Sequence, residues 1–264
     1  MILSIVTATL NARRFLPECI NSVKANIGPG VEIEHIIVDG GSTDGTVEMA
    51  EARGLRVLKG RDSGIFDAIN KGSFAASGDL LGFLGADDLL LSGAATVIVR
   101  RFGEVGRPWV VGGIEWINSE GRSLGFTSAP PLWMSAKIMA CLGWCCLWHM
   151  SAYVSRQFFA ELGGFDISFK DAGDFDFFSR ALSVSKFAPI RQPLAAYRRT
   201  GENNSAIHKS RMEMEARRVR DTFGPNSPVE RQAYKWLLKL WLNARNPQWC
   251  LLKHLAPVPP KARF

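Results

Sequence analysis

The sequence predicts an α/β fold: a mixed, mostly parallel sheet flanked by helices over residues 1–200, with a helical, basic extension over residues 201–264. Three observations lead there. In the first 88 residues, β-branched runs alternate with helix-period segments as strand, helix, strand, helix, strand, helix, strand, the order that builds a parallel sheet through right-handed crossovers. Hydrophobic residues make up 47% of the 264 and charged residues 22%, a globular composition able to bury a large core. The net charge of +7 is segregated, because residues 198–264 hold fourteen Lys and Arg against five Asp and Glu, while the remainder is slightly acidic.

Taken in order, Ile2 to Thr9 is a β-branched strand, and Asn11 to Asn26 shows helical spacing through Phe15, Leu16, Cys19, Ile20 and Val23. Glu34 to Val38 is the next strand, ending in Asp39 and the turn Gly40-Gly41-Ser42. Ser42 or Asp44 can cap a helix that runs to about Arg53 and closes at Gly54, and Arg56 to Leu58 follows as a strand. Ile65 to Ala76 reads as a helix stopped near Gly78, feeding the apolar strand Leu80 to Leu84. A helix from Ser92 to Phe102, a strand from Trp109 to Ile117, a turn at Asn118-Ser119-Glu120-Gly121 and a returning strand to Phe126 come next. Ala129 to Leu147 gives no clear period, and its Trp and Met content suits a pocket wall and a core equally. A strand around Trp148 to Val154 precedes a helix capped by Ser155 and ended by Gly163-Gly164, and a last helix spans Gly173 to Leu182, with Phe175, Phe178 and Leu182 as its buried stripe.

Composition narrows the function. A near-neutral body argues against a nucleic-acid-binding core, and a basic tail suits an anionic surface. Five cysteines, odd in number and irregularly spaced, predict no disulfide framework and point to a reducing cytoplasm. Cys145, Cys146 and His149 form one short cluster without the second half that a structural zinc site needs. Met1 leads straight into a strand, which predicts no secretory leader, and the apolar run Leu132 to Val154 contains Lys137, Gly143 and His149, which suits a buried segment better than a membrane span.

The chemistry concentrates at strand ends. Asp87 and Asp88 lie just beyond the fourth strand, where open α/β sheets bind ligands and where hard oxygen donors suit a divalent cation carrying phosphates. The plainer reading is that they cap the following helix. Thr9 and Asp39 end the first two strands. In the last helix, Asp174 and Asp176 are about 200° apart and cannot both face one pocket. Asp176 stands four residues before Arg180 and is expected in an exposed ion pair. Asp174 has no such partner and borders the apolar stripe, so it is the better candidate for a working carboxylate, although an acidic residue at a helix start is also simply favourable.

The segments TATLNARRFLPECINSV, IIVDGGSTDGT, DSGIFDAINKGSFAASGDLLGFLGADD, HMSAYVSRQFFAELGGFD and AGDFDFFSR resemble, in order and spacing, the family 2 inverting glycosyltransferases of GT-A fold, most closely bacterial members that build surface polysaccharides. The likeness covers about residues 2–205. It implies a nucleotide-sugar-binding half over 1–90, an acceptor half over 91–200, a UDP- or GDP-linked sugar donor, a glycan or lipid-linked acceptor, and Mg²⁺ or Mn²⁺ on the pyrophosphate. By resemblance Thr9 and Asp39 look like nucleobase contacts, and Ser42 and Asp44 belong to the same donor loop. Asp62, Asp67 and Asn70 fall in the donor-side segment, Asp87 and Asp88 stand at the metal and ribose carboxylates, and Asp174 stands at the catalytic base. His149 matches a recurrent acceptor-side His, and His208 is nominated for the metal shell, although a lone His is more often a hydrogen-bonded structural residue. Two residues depart from the pattern: Leu10 replaces an aromatic residue, and Gly85 stands where relatives show Asp or Asn. Arg198 and Arg199 are candidates to neutralise a diphosphate, with one of them expected in solvent.

In the extension, Ser205 to Phe223 reads as a charged helix, Pro225 to Pro228 breaks it, and Val229 to Arg245 carries Arg231, Lys235 and Lys239 on one row with Trp236, Leu237, Leu240 and Trp241 elsewhere, a theme that Trp249, Leu251 and Leu252 repeat. That pattern fits a helix lying on the inner face of a membrane, and equally one packed on the catalytic domain. Two other functions compete: a non-catalytic nucleotide-sugar-binding scaffold at a membrane, and a sugar nucleotidyltransferase, whose Gly-rich phosphate loop TATLNARRF lacks.

Overall fold

The computed structural model describes residues 1–201 and 208–245. The chain runs β1 (Ile2–Thr9), α1 (Leu16–Lys24), β2 (Glu32–Asp39), α2 (Thr46–Glu51), β3 (Arg56–Lys59), α3 (Ile65–Ala75), β4 (Leu80–Phe83), β5 (Leu89–Leu90), α4 (Ala94–Val105), β6 (Trp109–Asn118), β7 (Ser123–Thr127), α5 (Ala136–Leu142), β8 (Ala152–Ser155), α6 (Arg156–Glu161), α7 (Gly173–Val184), β9 (Ala188–Arg199), α8 (Lys209–Phe223) and α9 (Pro228–Arg245). The strands form one mixed sheet in the order β3-β2-β1-β4-β8-β6-β9-β5, with β7 on β6. The first four strands run parallel, as the alternation predicts, and antiparallel β8 joins them to the second half.

Strand alternation puts a core on each face of the sheet. Leu3, Ile5 and Ile37 point to the face covered by α1 and α4, and Val6, Ile36 and Val38 to the face covered by α3, α5 and α7. Helix α3 lies close on the sheet because Gly72 has no side chain; a Cβ there would come within 2.4 Å of Val6 Cγ1 and 2.8 Å of Val38 Cγ2. Five phenylalanines then lock α3, β4, α6 and α7 together. Phe165 stacks on Phe177 at 4.6 Å and on Phe66 at 5.3 Å, and meets Phe83 edge-on at 5.2 Å, while Phe159 sits 5.4 Å from Phe177.

Several elements differ from the sequence reading. Helix α1 begins at Leu16, not Asn11, because Asn11 is left-handed (φ 51°) and Pro17 suits the first turn. Helix α4 begins at Ala94 after a left-handed Gly93, so Ser92 is not its cap. Asp87 and Asp88 cap no helix, because the short strand β5 follows them. Ser155 caps α6 as expected, accepting the Phe158 N–H at 3.1 Å. The unreadable stretch holds α5, the strand expected around Trp148 to Val154 is a 3-10 turn at His149–Ser151 followed by β8, and β9 had no counterpart in the reading. On α7 the buried surface is wider than one stripe, since Phe177 is as buried as Phe175 and Phe178.

Helix α9 packs some of its apolar residues on the domain, as one of the two expectations had it, and turns others outward. Tyr234, Leu238 and Trp241 pack on the core, and Lys137 of α5 bridges Glu230 at 2.6 Å. Trp236, Leu237 and Leu240 face outward at 56%, 49% and 64% exposure, with Lys235 and Lys239 exposed among them. The expected helix start at Ser205 and the Trp249, Leu251 and Leu252 pattern lie outside the described residues. No helix among the described residues is long and apolar enough to cross a membrane.

The aromatic lock has a measurable cost of removal. Phe177→Ala is expected to destabilise the protein by about 3–5 kcal/mol, read from the urea midpoint at unchanged slope; a loss below about 1 kcal/mol would show that the cluster does not hold these elements together.

Candidate active site

Parallel pairing sets Thr9 of β1 opposite Asp39 of β2, and pairs Val6 with Phe83 of β4, so the turn that follows β4 starts level with the end of β1. Asp39 is the hub of the first part of the site. Its Oδ1 accepts from Thr9 Oγ1 at 2.9 Å and Ser42 Oγ at 2.5 Å, and its Oδ2 from the N–H groups of Gly41 at 2.9 Å and Ser42 at 2.8 Å. Burial opposes its charge, but the bonds from Ser42, Gly41 and Thr9 outweigh it and hold the carboxyl below its ordinary value. Asp62 joins this group, because its Oδ2 lies 2.6 Å from where a Cβ on Gly40 would stand.

The neighbouring nominees hold backbone. Asp44 accepts from Arg13 N–H and from Thr46 N–H and hydroxyl, so Asp44, and not Ser42, braces the start of α2. Asp67 accepts from the Ser63 N–H at 2.8 Å and pairs with Lys71 at 3.0 Å. Both amide ends of Asn70 grip the backbone of Phe165, at 2.8 and 2.9 Å, which ties α3 to the segment leading into α7.

Asp87 and Asp88 form the second part. The point a Cβ on Gly85 would occupy is 2.6 Å from Asp88 Oδ2 and 3.0 Å from Asp87 Oδ1, so the two carboxylates converge in the space that this glycine leaves open. Burial raises both carboxyls above their ordinary values; Asp88, only 2% exposed, is raised further by the charge of Asp87. Two converging carboxylates, both hard oxygen donors, fit a divalent cation that completes its shell with phosphate and water. Among the described residues no third His, Cys, Asp or Glu gathers with the pair, and His208 stands exposed at the start of α8.

Of the two arginines considered for a diphosphate, Arg198 does not face solvent. Its side chain is 1% exposed and lies over the Phe15 ring at 4.9 Å. Its guanidinium donates to Asp87 O at 2.9 Å, Ser119 O at 3.0 Å and Glu18 Oε2 at 2.6 Å, while its backbone N–H donates to Asp88 Oδ1 at 3.0 Å. Arg199 is half-buried, with its guanidinium 5.8 Å from the centre of the Trp116 ring.

The third part is Asp174, one residue into α7. Its Oδ1 accepts the Phe175 N–H at 2.8 Å, and burial pushes its carboxyl up to about 6. Phe66 of the donor-side segment packs where a side chain on Gly173 would sit. The Asp174 charge also reaches Cys145, whose thiol is raised first by burial and then by that charge. Asp176 pairs with Arg180 at 2.8 Å as expected, but the pair is not exposed: Asp176 is 9% accessible, and Arg180 also donates to Leu162 O and Gly164 O. Burial pushes His149 down to about 4, so its ring is neutral at physiological pH.

Glu215 was not among the residues singled out from the sequence. This buried carboxylate on α8 accepts the N–H groups of Lys170, Asp171 and Ala172, each at 2.8 Å, and so fixes the loop that delivers Asp174. Nothing separates it from other acidic residues in a charged helix until α8 is seen docked.

The profile of Glycosyl transferase family 2 matches residues 4–165. A PGL/p-HBAD biosynthesis glycosyltransferase of Mycobacterium tuberculosis is 27% identical over 216 residues, covering 77% of this chain and 79% of its own. An uncharacterized glycosyltransferase of the same species is 30% identical over 205 residues, covering 75% of each chain. Among solved structures, S. aureus TarS 1–349 in complex with UDP-GlcNAc superposes with a TM-score of 0.66 at 17% identity, over 92% of this chain and 72% of that one. The chain spans 44% of a longer TarS chain. The mannosyltransferase PcManGT of Pyrobaculum calidifontis, in complex with GDP-Man and Mn²⁺, gives 0.60 at 16% identity, over 92% of this chain and 72% of that one.

Proposed function

The chain belongs to glycosyl transferase family 2 and is a glycosyltransferase, and we propose that it moves a sugar from a nucleoside diphosphate donor to a hydroxyl of a glycan or lipid-linked acceptor, with inversion, in cell-surface glycan synthesis. The observation that carries this reading is the convergence of Asp87 and Asp88 over Gly85. TarS and PcManGT were solved with UDP-GlcNAc and with GDP-Man and Mn²⁺, which supports a UDP- or GDP-linked donor and a divalent cation here.

In this proposal residues 1–90 hold the donor. Thr9, Asp39, Ser42 and Asp62 frame the nucleoside. Because Asp39 already accepts four hydrogen bonds, about the capacity of a carboxylate, a base reaches it by replacing one loop donor. Asp87 and Asp88 hold Mg²⁺ or Mn²⁺, which when bound supplies positive charge to the leaving diphosphate. Residues 91–200 hold the acceptor. Asp174 takes the proton of the acceptor hydroxyl as its oxygen bonds to the anomeric carbon and the bond from that carbon to the diphosphate oxygen breaks, so one displacement inverts the centre. A carboxyl pushed up to about 6 suits a base that must be ionised near neutrality yet hold a proton briefly.

Asp174→Asn is expected to lower turnover about 10²–10⁴-fold with nucleotide binding unchanged. In the parent protein, turnover should fall as pH drops through about 6, where Asp174 protonates. Full turnover by the Asn variant, or a pH-independent rate down to 5, would remove Asp174 from the mechanism.

We also propose that the outward face of α9, with Trp236, Leu237 and Leu240 among Lys235 and Lys239, rests on the cytoplasmic face of an anionic membrane. Replacing the three apolar residues by Ser should abolish cosedimentation with phosphatidylglycerol-containing vesicles at low salt. Because Leu238 and Trp241 stay in place, the helix keeps its packing; unchanged cosedimentation would refute membrane contact.

A further inference from the structure

Residues 166–172 lead into α7 and are anchored on one side by α8. Glu215 takes the N–H groups of Lys170, Asp171 and Ala172, and Arg211 forks onto both carboxylate oxygens of Asp171. Arg218 donates to the Ser168 hydroxyl at 3.0 Å and lies 4.1 Å from the centre of the Phe169 ring. Contacts spread along so short a loop leave its backbone little freedom. Asp174 follows directly after this anchored stretch and Gly173.

On its other side the loop sends one side chain to the donor-side segment. The Lys170 ammonium donates to Ser63 O at 2.5 Å, across 107 positions of sequence, and to Ile167 O of its own loop at 3.0 Å. Its stem lies on Gly64, with Cδ 3.4 Å from the point that a Cβ there would occupy. Both acceptors are carbonyls, so these bonds fix backbone and do not pair charge. Pinning a lysine costs much rotamer freedom, which a solvated side chain would keep. The segment it grips bears on the nucleoside-framing group: Gly64 N–H donates to Asp62 Oδ1 at 2.9 Å, and Asp62 Oδ2 borders Gly40, beside Asp39. Gly64 sits at φ 132°, where the backbone has many alternatives, so an outside grip has a conformation to fix.

We infer that Lys170 is a positioning residue for sugar transfer. Its bridge from the loop anchored on α8 to Ser63 sets the span between the segment that frames the nucleoside and the carboxylate that takes the acceptor proton. Lys170 acts through Asp62 on one side and Asp174 on the other, and the inference rests on the readings of those two residues as donor contact and base. An error of about 1 Å in such a span is enough to slow a displacement whose reacting atoms must be aligned.

The test compares Lys170→Met and Lys170→Arg with the parent in the full chain, reading nucleotide release from UDP-GlcNAc and GDP-Man with Mn²⁺. The Met variant keeps the stem on Gly64 and removes the ammonium. It should lower kcat by about ten- to a hundredfold, with the KM for the donor and the thermal midpoint unchanged, and the Arg variant should recover most of the rate. Because Lys170 acts through the span to Asp174, the Met substitution should cost little more in an Asp174→Asn background. A Met variant with the parental kcat, a loss seen only in KM, or a loss as large in the Asn background would overturn the inference. Hydrogen exchange reads the same bridge without turnover. The amides of Ser63 and Gly64 should exchange faster in the Met variant, while those of Lys170, Asp171 and Ala172 keep their parental rates; unchanged exchange at Ser63 and Gly64 would likewise overturn it. The exchange result does not depend on Asp174, so failure of the bridge and failure of the base are read separately.

Discussion

Two carboxylates buried side by side must be neutralised, and the second half of this chain folds around that requirement. At the end of β4 Asp88 is buried and Asp87 half-buried, and desolvation opposes the charge on both. Arg198 meets part of the demand. Its guanidinium ties the carbonyl of Asp87 to the β6–β7 turn and to Glu18 of α1, and its backbone amide holds Asp88. Burial still leaves both carboxyls raised above their ordinary values. In the proposed function a cation that arrives with a diphosphate would add positive charge there, so that donor binding and metal binding would be one event.

Asp174, the proposed base, is supported by a separate set of contacts. The phenylalanine lock fixes α7 against α3 and β4, Asn70 holds the segment that enters it, and Glu215 caps the loop before Asp174. The Asn70 and Glu215 hydrogen bonds join residues 43 to 95 positions apart. They keep the carboxylate in a fixed, partly dry position, where its affinity for a proton rises.

The parallel half-sheet was legible in the sequence because its signals are local: β-branched runs, helix spacing and glycines at the ends. The strand-end residues Thr9, Asp39, Asp87 and Asp88 were legible for the same reason, since their elements were correctly placed. What escaped depended on long-range packing. Arg198 looks like any strand arginine until β9 is paired with β6 and β5, and β9 itself was hidden by Pro189 and Pro193 and by its small residues. The Asp176–Arg180 pair was found from spacing, but its burial was not, because the α6 end that covers it is not adjacent in sequence. Helix α9 showed its two-sided character in the sequence, yet only docking reveals that Leu238 and Trp241 point inward while Trp236 and Leu240 do not.

The central claim is that Asp87 and Asp88 form a cation site linked to diphosphate binding. Calorimetric titration with UDP and GDP, with and without Mn²⁺, on the parent protein and on Asp88→Asn tests it most directly. The account predicts that Mn²⁺ tightens binding of at least one nucleotide by tenfold or more in the parent, and that the variant loses this gain while keeping its metal-free affinity. Equal Mn²⁺ enhancement in the parent and the variant would contradict it.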